Sequence, residues 1–236
     1  MSRLFAIGDI HGCVAELGAL LDGLPLAQGD TVCFVGDYID RGKDSRGVID
    51  LLLAFGRRED VRSVFLKGNH EDMCLSFLGR PGRWGESWLV NGGAEAVRSY
   101  GVDARSAPAA VEAAMPEEHL KFLEGLERSH RALGYLMVHA GIRPDRRWEE
   151  QTDEDLFWIR EEFIMRPHAL PETIVYGHTP GRQVHADLPY KIGIDTGCVY
   201  GGCLTALELP EQTVHQVFAG ERRVRRGAMP ASRRRA

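Results

Sequence analysis

The 236-residue sequence predicts an α/β fold whose sheet starts parallel and becomes mixed or antiparallel toward the C-terminus. Three observations lead to this prediction. Short apolar runs alternate with segments of helical period over residues 4–77. From residue 173 onward, short strand-like runs follow one another. A string of Gly, Asp, His or Asn directly follows six of the apolar runs.

The first elements are three pairs of a strand and a helix. Their apolar runs and helical stretches are LFAI (4–7) with 14–24, TVCFV (31–35) with 48–55, and SVFLK (63–67) with 73–77. Parallel strands need crossover connections, which are usually helices, so this βαβαβ pattern predicts parallel pairing.

The segment 80–118 interrupts the alternation and predicts a small helical or loop cap over a site. It contains the loop-like PGRWGESW, a weak helix over 86–100 and an Ala-rich stretch. A helix from residue 116 and the strand GYLMVHAG (134–141) follow, and Leu156, Ile159 and Phe163 predict one further helix. The remaining predicted strands are TIVYG (173–177), KIGID (191–195), CLTALEL (203–209) and TVHQVFA (213–219).

The formal charge of -5 is unevenly distributed along the chain. Residues 221–236 contain seven Arg and one Glu, whereas the first 220 residues are acidic. The acidic body argues against nucleic-acid binding over its surface, apart from a local contact by the tail. We therefore expect a single catalytic domain over 1–220 and a flexible Arg-rich tail over 221–236. The tail arginines are Arg222, Arg223, Arg225, Arg226, Arg233, Arg234 and Arg235.

The five cysteines are odd in number and form no CxxC pair, so the sequence predicts neither a disulfide framework nor a thiolate zinc site. No uncharged apolar stretch approaches the roughly 18 residues of a membrane span, and residues 4–7 are too short for a signal peptide. We expect a cytoplasmic protein with reduced cysteines and no membrane partner.

The six polar strings are the most informative feature. They are GDIHG (8–12), GDYIDRG (36–42), GNHE (68–71), HAG (139–141), GHT (177–179) and DTG (195–197). One such string alone is typical of a turn after a strand. Six of them should converge, because the carboxyl ends of strands in an open α/β sheet share one edge. The converging side chains would be Asp9, His11, Asp37, Asp40, Asn69, His70, His139 and His178.

So many buried carboxylates and imidazoles need compensation, since an unpaired buried charge costs several kcal/mol. Divalent cations supply it. Oxygen and nitrogen ligands suit Mn, Fe or Zn, and there are enough of them for two ions about 3.5 to 4 Å apart. The sequence therefore predicts two divalent metal ions per chain, with Mn preferred.

The ordered motifs closely resemble the PPP-type phosphoprotein phosphatases of the calcineurin-like metallophosphoesterase superfamily, especially their compact bacterial and phage members. The resemblance runs from Leu4 to about Leu209. It implies a β-sandwich of mixed sheets flanked by helices, with two metals at the strand ends.

The resemblance also implies a role for each matching residue. Asp9 and His11 would bind the first metal, Asp37 would bridge both, and Asn69, His139 and His178 would bind the second. His70 would be the general acid and Asp40 the carboxylate that orients it. Arg41 would hold the substrate phosphate. Arg160, in the short motif FWIRE, resembles a second phosphate-binding Arg, although it could instead pair with Glu161 or Glu162 on a helix surface.

The resemblance implies a protein serine/threonine phosphatase, with a phosphoprotein as its partner. The alternative is a diadenosine tetraphosphate hydrolase, whose sequences resemble the 194–209 segment equally well. Asp40 favours the phosphatase, because the symmetrically cleaving hydrolases usually lack this acid, but some other bacterial dinucleotide hydrolases keep it. A third possibility is a non-catalytic module that binds phosphate through Arg41 and the tail. Trp84 and Trp88 are candidates for substrate contacts or for the core of the cap. Cys198 is predicted to be a buried turn residue rather than a nucleophile.

Overall fold

The computed structural model describes residues 2–232, in which eleven strands form two facing sheets. The strands are Leu4–Ile7 (β1), Thr31–Phe34 (β2), Arg62–Phe65 (β3), His130–Ala132 (β4), Tyr135–Met137 (β5), Thr173–Tyr176 (β6), His185–Asp187 (β7), Lys191–Gly193 (β8), Cys203–Leu209 (β9), Thr213–Phe218 (β10) and Arg225–Ala228 (β11). The helices are Val14–Gly23 (α1), Ser45–Gly56 (α2), Asn69–Phe77 (α3), Gly93–Ser99 (α4), Pro108–Ala114 (α5), Glu117–Glu124 (α6), Asp153–Trp158 (α7) and Glu161–Ile164 (α8).

The first sheet has the order β11-β10-β9-β1-β2-β3. β1, β2 and β3 pair in parallel, with Leu4 opposite Thr31 and Thr31 opposite Arg62. β9 runs antiparallel to β1, and β10 antiparallel to β9. The predicted parallel start and mixed finish are both confirmed in this sheet.

The second sheet has the order β4-β5-β6-β8-β7. β5, β6 and β8 are parallel, and β4 and β7 close the two edges in antiparallel pairing. The edge strands β4 and β7 were not predicted, because each has only three residues and lacks an apolar run.

Strand alternation divides the apolar residues among three layers of core. Leu4 and Ala6 of β1 face the second sheet, where they pack in one cluster with Met137 and Val175. Phe5, on the other face of β1, packs in the cluster that includes α1, α2 and the cap. A third cluster lies between the outer face of the second sheet and the segment of α7 and α8. The result is the predicted mixed sandwich flanked by helices.

Two predicted helices differ in the structure. Leu156, Ile159 and Phe163 do not share one helix: α7 ends at Trp158, and Arg160 has φ −131° and ψ −105°, which are not helical. The predicted helix over 86–100 consists of two short 3-10 turns followed by α4. A left-handed glycine, Gly92, separates these turns from α4.

The flexible tail predicted from residue 221 is corrected for residues 225–228. These residues form β11, which pairs antiparallel with β10. The charged side chains find partners there: the Arg225 guanidinium binds Glu221 and lies 4.4 Å from the ring centre of Phe218. Backbone pairing and these contacts outweigh the polar composition of the strand. Arg233, Arg234 and Arg235 lie outside the described residues.

None of the helices in residues 2–232 is both long enough and apolar enough to cross a membrane.

Candidate active site

The site lies where strands of both sheets end at one edge of the sandwich. β1 leads into Asp9 and His11, and β2 leads into Asp37. β3 is followed by α3, whose first two residues are Asn69 and His70. β5 and β6 of the second sheet lead into His139 and His178. All seven side chains are buried.

One group of predicted ligands surrounds the Asn69 side chain. Asn69 Oδ1 lies 3.0 Å from His139 Nε2 and 2.9 Å from His178 Nδ1. Asp37 Oδ1 lies 3.4 Å from His139 Nε2. Asp37, His139 and His178 thus present ligand atoms that all lie within 4.8 Å of one another.

A second group lies on the other side of Asp37. Its second oxygen, Oδ2, is 3.5 Å from His11 Nε2. His11, Asp37 and His70 form another cluster of potential ligand atoms, and the rings of His11 and His70 are in edge contact. Asp9 contacts the first group, because its carboxylate accepts the backbone N–H of His178 at 3.0 Å. Asp37 is therefore shared by both groups, as a bridging ligand would be.

The backbone is strained at these positions. Five predicted site residues have positive φ values in the left-handed region: His11, Asp37, Asp40, Arg41 and His178. In residues 2–232, only three other non-glycine residues share this property. Such conformations cost about 1 to 3 kcal/mol each and concentrate at functional sites.

Burial determines the ionisation of the predicted ligands. It lowers the pKa of His11 to about 3 and also lowers the pKa values of His139 and His178. These imidazoles are consequently neutral and able to bind metal at neutral pH. Burial opposes ionisation of Asp37, but the histidines around it, His139 foremost, hold the pKa of its carboxyl well below the usual value.

The carboxyl groups of Asp9 and Asp195 behave differently. Burial, reinforced by the negative charges of Asp195 and Asp37, raises the pKa of Asp9. Burial raises the pKa of Asp195 to about 6. Asp195 belongs to the DTG string but was not predicted to be a site residue, and its buried carboxyl interacts electrostatically with Asp9 and Asp37.

The donor set fits divalent cations. His139 Nδ1 must donate to the Val35 carbonyl at 2.9 Å, so its Nε2 carries a lone pair. That lone pair faces Asn69 Oδ1 and Asp37 Oδ1, which are themselves acceptors. At His11, Nδ1 donates to the Ile39 carbonyl at 2.8 Å and leaves Nε2 as the acceptor, and Arg41 Nη1 donates to this nitrogen at 2.6 Å. The lone pairs around His139 Nε2 converge without a proton between them, and a metal ion would stabilise such an arrangement.

His70 and Asp40 form a buried hydrogen-bonded pair beside this cluster. His70 Nδ1 donates to Asp40 Oδ2 at 2.6 Å, and both side chains are fully buried. Burial lowers the pKa of His70, but the charges of Asp37 and Asp40 outweigh it, so the net pKa is raised. His70 Nε2 has no hydrogen-bond partner among the described residues. A protonated His70 would thus have one N–H committed to Asp40 and the other available to a substrate.

Glu71 holds the loop that carries Asp37, a role that the sequence did not suggest. Its carboxylate accepts backbone N–H groups of Asp37 at 2.9 Å, Tyr38 at 2.8 Å, Ile39 at 3.3 Å and Gly68 at 3.0 Å. Burial raises the pKa of Glu71 to about 8, whereas the four donors favour the carboxylate. The glutamate of GNHE was visible in the sequence, but only a structure shows that it points at the preceding loop.

The two tryptophans of the cap differ in position. Trp88 is 1% exposed and donates its indole N–H to Asp40, so it does not line an open surface. Trp84 is half exposed and lines a cleft of about 320 Å³. The cleft is also lined by Met73, Ser87, Asn91, Glu154 and Trp158.

The two predicted phosphate-binding arginines lie near the ligand cluster. Arg41 Nη1 is 2.6 Å from His11 Nε2, and the guanidinium lies 5.7 Å from the ring centre of Tyr200. Arg160 is exposed, and its positive charge contributes to lowering the pKa of His139 and His178. In residues 2–232 no ion pair joins Arg160 to Glu161 or Glu162.

Cys198 lies in a buried turn, as predicted. Its pKa is raised, first by a hydrogen bond with Cys13 and then by burial, and this disfavours a nucleophilic thiolate. All five cysteines are free thiols.

The fold and the donor set together define a metal-dependent phosphoester hydrolase. The chain belongs to the calcineurin-like phosphoesterase family, whose model matches residues 2–220. It is 32% identical to the asymmetrical bis(5'-nucleosyl)-tetraphosphatase PrpE of Geobacillus thermodenitrificans, over 89% of this chain and 92% of that protein. It is also 32% identical to serine/threonine-protein phosphatase 1 of Salmonella typhimurium, over 86% and 90%.

A solved structure has the same fold. A crystal structure assigned provisionally to a diadenosine tetraphosphatase superposes with a TM-score of 0.69 at 28% identity, covering 92% of this chain and 94% of that one. The expected superfamily and the expected phosphoester hydrolase are thus confirmed, and a non-catalytic module is set aside.

Proposed function

We propose that this chain is a PPP-type protein serine/threonine phosphatase that hydrolyses phosphomonoesters of alkyl alcohols. The single observation behind this proposal is the buried His70–Asp40 pair, in which His70 Nε2 has no hydrogen-bond partner within residues 2–232. A serine or threonine alkoxide is a strongly basic leaving group, so its departure depends on a proton donor. A nucleotide phosphate is a much weaker base and gains less from one.

The ligand assignment follows the family motifs; the two clusters of potential ligand atoms share Asp37, as this assignment requires, but the cluster with His11 contains His70 and not Asp9. Asp9 and His11 would hold one cation, Asn69, His139 and His178 the other, and Asp37 both. When bound, such a pair of cations lowers the pKa of an attacking water toward about 7 and stabilises charge on the phosphoryl oxygens. Oxygen and nitrogen donors accept Mn²⁺, Fe or Zn²⁺, and we propose Mn²⁺ as the working metal.

The remaining residues act on the substrate. Arg41 and Arg160 would bind the phosphoryl oxygens, for which the planar guanidinium is well shaped. His70 would protonate the leaving oxygen, while Asp40 holds the imidazole in orientation through Nδ1. The five free cysteines suit a reducing compartment, and we propose a cytoplasmic enzyme.

A second candidate function is asymmetrical hydrolysis of a bis(5'-nucleosyl) tetraphosphate. It is favoured by the relative of that name and by the cleft that contains Trp84 and Trp158. Two indole rings, whose centres lie 6.5 Å apart, offer stacking surface for a purine. The two candidates differ in the basicity of the leaving group, and therefore in how strongly the reaction depends on a proton donor.

Two measurements test this assignment. Inorganic phosphate release from a phosphoserine peptide is compared with nucleotide products from diadenosine tetraphosphate, both resolved by chromatography with Mn²⁺ present. We expect the larger kcat/KM on the phosphopeptide; a larger value on the dinucleotide would favour the second candidate.

His70→Asn tests the acid. We expect it to retain both metals by elemental analysis and to lose about 100-fold to 10,000-fold in kcat on the phosphopeptide. The loss on p-nitrophenyl phosphate should be much smaller, because p-nitrophenolate leaves without a proton. Equal losses on the two substrates would remove His70 from the acid role.

A further inference from the structure

We propose that Trp88 is a positioning residue for the reaction, and that its indole N–H fixes the Asp40 carboxylate against His70. The proposal rests on the proposed function, in which His70 protonates the leaving group. Trp88 is in the cap and would touch neither substrate nor metal in this role. It would act only through Asp40.

The indole N–H makes a two-centred contact with Asp40. Trp88 Nε1 lies 3.0 Å from Oδ1 and 2.9 Å from Oδ2 of the carboxylate. Oδ2 also accepts the Nδ1–H of His70 at 2.6 Å, so Trp88, Asp40 and His70 are joined by consecutive hydrogen bonds. Because the carboxylate and the histidine are fully buried and the indole is 1% exposed, no solvent competes for these bonds. Hydrogen bonds to ionised groups are roughly twice as strong as those between neutral groups.

The indole ring has little freedom to move away. It packs against Phe77, with ring centres 5.0 Å apart. Gly93 leaves space for the ring, because a Cβ on this residue would lie 2.6 Å from two atoms of the indole ring. The ring position is therefore set by packing that is independent of the hydrogen bond to Asp40.

The same cap turn also holds the next residue of the GDYIDRG loop. The Gly92 carbonyl accepts the backbone N–H of Arg41 at 3.0 Å. Gly92 has φ +112°, and a Cβ on it would lie 2.6 Å from Arg41 Cγ. The segment from Trp88 to Gly93 thus hydrogen-bonds to the side chain of Asp40 and to the backbone of Arg41. Through these two contacts, one turn of the cap positions both the partner of the acid and the phosphate-binding arginine.

The test uses Trp88→Phe, which removes the indole N–H and keeps an aromatic ring in the packed space. We expect kcat on a phosphoserine peptide to fall at least about tenfold, toward the loss expected for His70→Asn. KM on that substrate, kcat on p-nitrophenyl phosphate and metal content should stay close to wild type. Trp148→Phe is the matched control, because Trp148 contacts Arg131 away from the site, and it should match wild type on both substrates.

The outcomes separate this proposal from the proposed function. A Trp88→Phe variant that loses both activities equally, or neither, would overturn the role of Trp88 if His70→Asn still shows its selective loss. If His70→Asn loses activity equally on the phosphoserine peptide and on p-nitrophenyl phosphate, His70 is not the acid, and the positioning role of Trp88 is then refuted as well.

A spectroscopic measurement covers the case in which Trp88→Phe does not fold. The four indole N–H resonances of ¹⁵N-tryptophan-labelled protein are assigned with single Trp→Phe variants of the other three. The Trp88 resonance should move upfield in Asp40→Asn, because the charged acceptor is lost, while the other three stay in place. An unmoved Trp88 resonance would overturn the proposal.

Discussion

Glu71→Gln should destabilise the protein far more than an amide-for-carboxylate change usually does. Each carboxylate oxygen of Glu71 accepts two backbone N–H groups: Oε1 those of Tyr38 and Ile39, and Oε2 those of Asp37 and Gly68. The glutamine amide replaces one oxygen with an NH₂ group, which would face two donors. Above the Glu71 pKa of about 8, where the group is a carboxylate, two hydrogen bonds to a charged acceptor are then lost, each worth about 1.5 to 3 kcal/mol. We expect the free energy of unfolding to fall by about 3 to 6 kcal/mol.

The assay is urea unfolding at about pH 9, above the Glu71 pKa of about 8, in the presence of a chelator, so that metal binding does not add to the free energy of unfolding. Glu59→Gln is the matched control, because Glu59 is exposed, and it should change the free energy of unfolding by less than about 0.5 kcal/mol. A loss below about 1 kcal/mol in Glu71→Gln would refute the reasoning. It would mean that Glu71 carries a proton, which burial favours and glutamine would imitate.

Two further predictions concern the ligands. Asp37→Asn should lose bound metal, because both clusters of ligand atoms include Asp37; full metal content by elemental analysis would contradict a bridging role. The pH dependence of stability should report His11, whose folded pKa of about 3 lies below its ordinary value of 6.5. Between these pH values the unfolded chain binds a proton at His11 that the folded chain does not. The stability that the neutral His11 contributes is therefore present above pH 6.5 and is lost as pH falls toward 3. In chelator, wild type should therefore lose stability relative to His11→Asn on acidification, by up to about 1.4 kcal/mol per pH unit. A constant difference between the two proteins from pH 7 to pH 4 would show that His11 is not buried as a neutral imidazole.

The alternation from β1 to α3 was predictable because each strand is a short apolar run and each helix has a clear apolar face. Leu17, Leu20 and Leu21 of α1 are all buried, as their spacing predicts. The convergence of the polar strings was predictable for a related reason, since chain direction in a parallel sheet fixes the edge at which the strands end.

Other features could not be predicted from local patterns. The sequence RRGA of β11 contains no apolar alternation, and only pairing with β10 makes it a strand. Trp88 is an apolar side chain with one polar atom, and its contact with Asp40 spans 48 residues of sequence. Glu71 binds backbone groups rather than side chains, so no motif of partner residues marks it.

The site also spans the junction between the two sheets. Asp9 and Asp37 follow strands of the first sheet, and His139 and His178 follow strands of the second. A cation bound by residues from both groups would cross-link the first sheet to the second. At a free metal concentration 100-fold above Kd, that attachment adds about 2.7 kcal/mol against unfolding. When the metal is scarce in a cell, the enzyme would then lose stability as well as activity. The metal-free protein would unfold more often and would be degraded faster by proteases.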